Sequence, residues 1–395
     1  MFKYIITIIF IAVFQLNVYG QIAVKADTIY TMAGNPIANG VILIRNGKIE
    51  NVGANLSIPQ GYTTYTARVV TPGLIDVRSS VGLSGAYNVP SDQDQIEKSS
   101  PLQPELRAID AYNPEDKLLE HLKRNGITTI HTGHGVGALS SGQTMIVKTK
   151  AGLIDDVMVQ PIAMVAMTLG PAVSSNFTSP GTRSKQVAML RAELLKAQGA
   201  MKPKDTSKAP DLRQLIMQQL LRGEVKALIS ANTATDIMSA IRLAKEFNLK
   251  LVIEGGAEAY RLIDQIKASK AEIIVHPTMA RPGGEMVNMT MENAAILSGA
   301  GIPVSIESGF ESYVPKSRVV LYEAAAAMIH GLSFENALRS ITIHPAKLLG
   351  LEKRVGSIEK GKDADLVLFN GDPFEYTTKA CIVIIDGKVE VNQCQ

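Results

Sequence analysis

The chain has no tryptophan, two cysteines and six histidines in 395 residues, and no histidine occurs before His121. Each shortage excludes something. Twelve residues separate Cys381 from Cys394, so there is no CxxC redox or metal motif. No G-x-S-x-G elbow supports a serine hydrolase, and no Walker spacing supports a nucleotide cradle. The net charge of +3 comes from lysines and arginines scattered among acids, which leaves no basic stripe for nucleic acid and no polybasic membrane patch. The expected partner is a small-molecule ligand, with a homo-oligomer left open.

Beyond the first twenty residues no apolar run is long enough to cross a bilayer. Those twenty read as an export signal: Lys3 at the positive end, an apolar run from Tyr4 to Leu16, and Val18-Tyr19-Gly20 before a cleavage point at Gln21. The expectation is a periplasmic or secreted protein with no stable membrane insertion after cleavage; an uncleaved anchor is the alternative. Export permits a Cys381–Cys394 disulfide, against a buried thiol plus an exposed one.

About 375 residues then remain, enough for two average domains or one barrel with a small addition. The two ends read alike. Val41 to Ile44 and Ile49 to Val52 flank an Asn46-Gly47 hairpin signal, and Ile382 to Ile385 and Val389 to Val391 flank Asp386-Gly387. Neither β segment can bury a face alone, so one composite β-sandwich from residues 21–70 and 351–395 is expected. Between them strands alternate with helices. Asn113-Pro114-Glu115 reads as a helix start before Leu118, Leu119 and Leu122, and Ile127 to Ile130 as a strand. Ile237, Ala240, Ile241, Ala244 and Phe247 mark one helical face before strand Leu251 to Ile253, with further strands at Glu272 to Val275 and Pro303 to Ile306. Residues 71–350 fit a (β/α)8 TIM-like barrel, with a doubly wound open sheet as the alternative. Residues 84 to 112 would then cap its mouth, and Asp205 to Ala209 and Ser174 to Ser184 would be surface insertions.

The pieces Thr71-Pro72-Gly73-Leu74-Ile75-Asp76, Gly126-Ile127-Thr128-Thr129, His344-Pro345-Ala346 and Gly361-Lys362-Asp363-Ala364-Asp365-Leu366-Val367 together resemble the amidohydrolase superfamily, and within it the exported imidazolonepropionase-like members. That resemblance implies a (β/α)8 barrel with a composite sandwich and hydrolysis of C–N bonds in small cyclic amide-like substrates. It also implies one or two divalent metals such as zinc, which polarise the carbonyl and activate water. Carried over residue by residue, the metal-ligand positions fall on Arg78, Ser80, Ser230, Gly255 and Ser308, and between Ala151 and Pro171 there is no lysine or glutamate for the bridging position. A guanidinium cannot ligate a cation and a serine does so weakly, so the expectation is that the usual binuclear site is not retained.

The remaining chemistry gathers at predicted strand ends. His131 and His134 follow the second strand, His276 ends another, and Glu254 and Glu307 occupy like positions. These, with Arg78, are the candidate catalytic residues; the alternative is histidines bonded within a loop network. Gly133, Gly135, Gly137 and Gly142 make a tight loop whose N–H groups could face an anion. Arg78 is expected to pair with Asp76, Glu254 or Glu307, or else to reach solvent. Met145, Met164 and Met167 read as core. Two functions stay open: a hydrolase, or a non-catalytic protein that binds a small ligand or a partner.

Overall fold

A computed structural model describes residues 20–87, 89–201, 211–276, 283–309 and 319–394. The expected signal segment, apart from Gly20, and the insertion at Asp205 to Ala209 lie outside the described residues. Strands β1 (Ile22–Ile29), β2 (Ile37–Arg45), β3 (Lys48–Ala54) and β4 (Thr63–Pro72) open the chain, followed by β5 (Leu74–Ser79) and β6 (Ile127–Thr132). Next come β7 (Ser140–Gln143), β8 (Met145–Lys148), β9 (Met158–Gln160), β10 (Met164–Thr168), β11 (Lys226–Ala231), β12 (Leu251–Gly255), β13 (Glu272–Val275) and β14 (Val304–Ile306). Strands β15 (Leu366–Phe369), β16 (Ala380–Ile385) and β17 (Lys388–Asn392) close it.

Both ends of the chain meet in one seven-stranded sheet, ordered β17-β16-β15-β4-β1-β2-β3. The seam is β4 against β15, antiparallel, with Pro72 opposite Leu366. Asn46 and Gly47 take φ of 52° and 77°, and Asp386 and Gly387 take 48° and 73°, the left-handed pairs that a two-residue hairpin needs. Cys381 and Cys394 are joined, with Cα atoms 4.9 Å apart, which fastens the last residues to β16.

The central residues form two further sheets. Strands β10 to β14 run parallel in chain order, and β5 lies parallel to β6. Helices Arg183–Ala200, Ala234–Phe247 and Val320–Ile329 are among those between the strands, and the strands are almost wholly buried, as parallel sheets covered by helices are. One position departs from a regular βα repeat: β7 runs antiparallel to β10 and β8 antiparallel to β6, with only Thr144 between β7 and β8. A parallel bridge between Ser79 and Gly309 links the end of β5 to the chain just past β14.

Local chemistry explains the boundaries. Helix Ala234–Phe247 starts where Thr233 accepts from the Asp236 N–H and stops at Asn248, which is left-handed. The helix expected from Asn113 begins later, at Lys117, because the Asp116 carboxylate accepts from Leu118 N while Asn113 accepts from Glu115 N in a turn of its own. Gly73 is glycine because a Cβ there would lie 2.2 Å from the Thr128 hydroxyl. Close passage of β5 across β6 therefore dictates the Pro-Gly-Leu sequence.

Lys148, on β8, joins the two parts of the molecule. It is buried, bonds to Asp365, and lies 3.4 Å from Asp363 and 3.3 Å from Asp386. Asp363 in turn holds Lys48 at 2.5 Å and Arg354 at 2.9 Å. Burial alone would lower the Lys148 pKa, but Asp365, Asp386 and Asp363 outweigh it and raise it. The Asp-Ala-Asp tail motif is thus a structural ion cluster. Replacing Lys148 by methionine leaves the buried Asp365 without a cation and should cost about 3–5 kcal/mol in urea unfolding. Adding Asp363→Asn and Asp365→Asn should restore part of it; a single variant as stable as the parent would refute the assignment.

Candidate functional site

The side chains that converge sit at the C-terminal ends of the parallel strands. Asp76 and Arg78 come from β5, where the pairing with β6 shifts register between Asp76 and Ser79. Ser230 comes from β11, Glu254 and Gly255 from β12, His276 from just past β13, and Glu307 and Ser308 from just past β14. Arg78, Ser80, Ser230, Glu254, Gly255, His276 and Glu307 line one cavity of about 350 Å³. That volume suits a small molecule.

Arg78 organises the charge. It is 3% exposed, and its Nε donates to Glu254 Oε1 at 3.0 Å. Nη1 donates to the Ser79 carbonyl at 3.2 Å and Nη2 to the His134 carbonyl. Of the partners open to Arg78 in the sequence, Glu254 is the one it takes, and Ser230 donates its hydroxyl to the other Glu254 oxygen. Asp76 and Glu307 are buried without such an ion pair among the described residues. Asp76 accepts from Ser308 N at 3.1 Å and from the Ser308 hydroxyl, yet burial pushes its pKa up to about 7. Glu307 is fully enclosed, its Oε2 has no hydrogen-bond partner, and burial and the nearby Glu254 hold its pKa well above the carboxylate range. Glu307 therefore keeps its proton to higher pH than an exposed carboxyl would, facing the cavity beside the Arg78–Glu254 ion pair.

Three sequence expectations need correction. His131 is buried but does not line the cavity: its Nδ1 lies 2.7 Å from the Val77 carbonyl and its Nε2 2.6 Å from the Thr144 hydroxyl. Burial, then the Arg78 charge, drives its pKa down to about 3. His134 is likewise buried away from the cavity, its pKa lowered to about 4 by burial and Arg78. The glycine loop offers no anion cradle at the N–H groups named, because Gly133 donates to Ser79 O, Gly135 to Gln95 O and Gly137 to the Thr168 hydroxyl. Residues 84 to 112 do not line the cavity; they back that loop through Gln95.

The structure also brings in residues that the motifs did not flag. Glu285 and Met286 line the cavity from a short turn, as does Asn232. Glu323 is buried with its Oε1 3.8 Å from His276 Nε2. A signal for it existed, since it is an isolated acid in the apolar helix Val320–Ile329. Buried acids need a reason.

Whether these residues fit a divalent metal follows from the donors. The first strand presents a guanidinium already paired with Glu254, and among the described residues no three His, Cys, Asp or Glu side chains are grouped to hold a metal ion.

Comparison with known proteins places the geometry in context. A family model described as "Amidohydrolase family" matches residues 230–391. The chain is 23% identical to amidohydrolase tasK of Hapsidospora irregularis over 89% of its own length, and spans 40% of that protein. It is 24% identical to imidazolonepropionase of Legionella pneumophila strain Corby, covering 89% of this chain and 92% of that one. An amidohydrolase crystal structure from Thermotoga maritima superposes with a TM-score of 0.88 at 29% identity, covering 94% of this chain and all of that one. Such neighbours imply a TIM-like barrel with an extra domain.

The buried titratable groups make stability pH-dependent from both sides. The folded chain keeps the Asp76 proton that the unfolded chain releases near 3.8, so this contribution is full below that value and lost as pH rises through about 7. The unfolded His131 takes a proton near 6.5 and the folded one resists to about 3, so its contribution is full above 6.5 and lost on acidification. Asp76 therefore opposes the rise in urea midpoint that His131 gives between about pH 4 and 7, so Asp76→Asn should steepen that rise; an unchanged pH profile in the variant would rule out the Asp76 contribution.

Proposed function

Since the chain belongs to the amidohydrolase superfamily, we propose that it hydrolyses a C–N bond of a small, neutral, cyclic amide-like molecule held in the Arg78–Glu254 cavity, without a divalent metal. The observation that carries this reading is Glu307, a buried carboxylic acid with one oxygen unpartnered, set in the same cavity as the Arg78–Glu254 pair. In the proposed step Glu254 accepts a proton from water as the water oxygen bonds to the carbonyl carbon. An N–H on an Arg78 Nη bears the developing oxyanion. As the C–N bond breaks, Glu307 gives its proton to the departing nitrogen.

A non-catalytic ligand-binding role is the second reading, favoured by the pairing of Glu254 with Arg78, which weakens the carboxylate as a base. Export of the chain belongs to the proposal too, supported by the leading Lys3 and apolar run and by the Cys381–Cys394 disulfide. So does the closed eight-position barrel with a composite sandwich, supported by the β7–β8 stretch between β6 and β10 and by the Ser79 to Gly309 bridge.

Dihydropyrimidine, hydantoin, imidazolone and cyclic dipeptide panels test the activity. Turnover should survive exhaustive chelation, and Glu307→Gln should lower kcat about 100-fold with substrate affinity kept. Saturable binding without product would select the second reading. Activity abolished by chelation and restored by zinc would reject the metal-free step.

A further inference from the structure

Beside the large cavity lies a second, of about 30 Å³, with a different lining chemistry. Met286, Met289 and Met291 face it together with His276. Methionine is ordinarily a core filler, and Met145, Met164 and Met167 behave so, each at most 1% exposed. The other three differ. They fall within six residues on a segment of turns that opens with a three-residue 3-10 helix ending at Met286, and each is only partly buried. What they share is one small space and an imidazole.

Thioether sulfur is neutral, polarisable and a poor ligand for Zn, Mg or Ca, but a good one for Cu(I). A 30 Å³ space holds one water-sized particle and excludes an organic ligand. His276 adds a nitrogen donor, and the Glu323 carboxyl 3.8 Å from its Nε2 can orient the ring and supply charge opposite to a bound cation. Any sulfur ligation falls to methionine, because both cysteines are tied in the disulfide. We propose that Met286, Met289, Met291 and His276 form a binding site for a soft monovalent cation, Cu(I). The site adjoins the larger cavity, since His276 and Met286 line both, and it stands whether or not that cavity turns over substrate.

The test is titration of the full chain with Cu(I), kept reduced by ascorbate, against a chromophoric Cu(I) chelator, with Zn(II) as a second probe. Uptake of about one Cu(I) per chain is expected, with sulfur neighbours in the X-ray absorption spectrum. Leucine nearly matches methionine in volume, so Met286→Leu/Met289→Leu/Met291→Leu should keep the fold by circular dichroism and lose about 100-fold in affinity. Met289→Leu alone should lose less, should the triple variant misfold. Met201→Leu, at an exposed methionine, and Cys381→Ser/Cys394→Ser should bind as the parent does. No uptake by the parent, equal affinity in a folded triple variant, or loss of uptake with the cysteines would each overturn the proposal.

Discussion

A guanidinium buried among carboxyls is the constraint around which the rest of the site is arranged. Arg78 supplies the charge that lets Glu254 sit at a strand end as an anion. A buried anion without such a partner is expensive, and burial accordingly raises the pKa of Asp76 and of Glu307. The same cation reaches the imidazoles of His131 and His134 and helps keep them neutral. Protonation states across the mouth of the strands thus follow from burial and from one side chain.

Within the superfamily a metal ordinarily supplies positive charge at this end of the barrel, by the resemblance carried in the Pro-Gly-Leu-Ile-Asp and Lys-Asp-Ala-Asp segments. Carried over by that resemblance, the first ligand position falls on Arg78, a covalently attached cation. Unlike a divalent metal, a guanidinium cannot acidify a bound water, although it can hold a carboxylate and donate to an oxyanion. Chemistry in such a site must draw its acid and base from carboxyls set apart by their surroundings, as Glu254 and Glu307 are.

Much of this was legible in the sequence. Hairpin signals at Asn46-Gly47 and Asp386-Gly387, the strands from β12 to β14, and the placement of Glu254, His276 and Glu307 at strand ends follow from local pattern, while Arg78 was placed by the resemblance. The burial of Arg78 implied a carboxyl partner, but which of three could not be read, because Glu254 is 176 positions away and only packing selects it. The antiparallel stretch β7–β8 was hidden because Ser140-Ser141-Gly142-Gln143 carries no apolar alternation and reads as a turn. His131 misled for a related reason: strand position gives a residue's height along the barrel, whereas neighbouring strands decide whether its ring meets solvent or, as here, Thr144. Thioethers in a turn carry no period at all, so the cluster beside His276 emerges only from coordinates.

The lysine on β8 has a consequence for the order in which the molecule is made. Its carboxylate partners at Asp363 and Asp365 lie 215 and 217 residues downstream, so the strand cannot take its buried place when it first leaves the ribosome or a translocation pore. Contacts this distant in sequence close slowly. Until nearly the whole polypeptide is present the ammonium must stay in water, and the neighbouring strands with it. A chain built this way completes this ion cluster only after its last strands arrive.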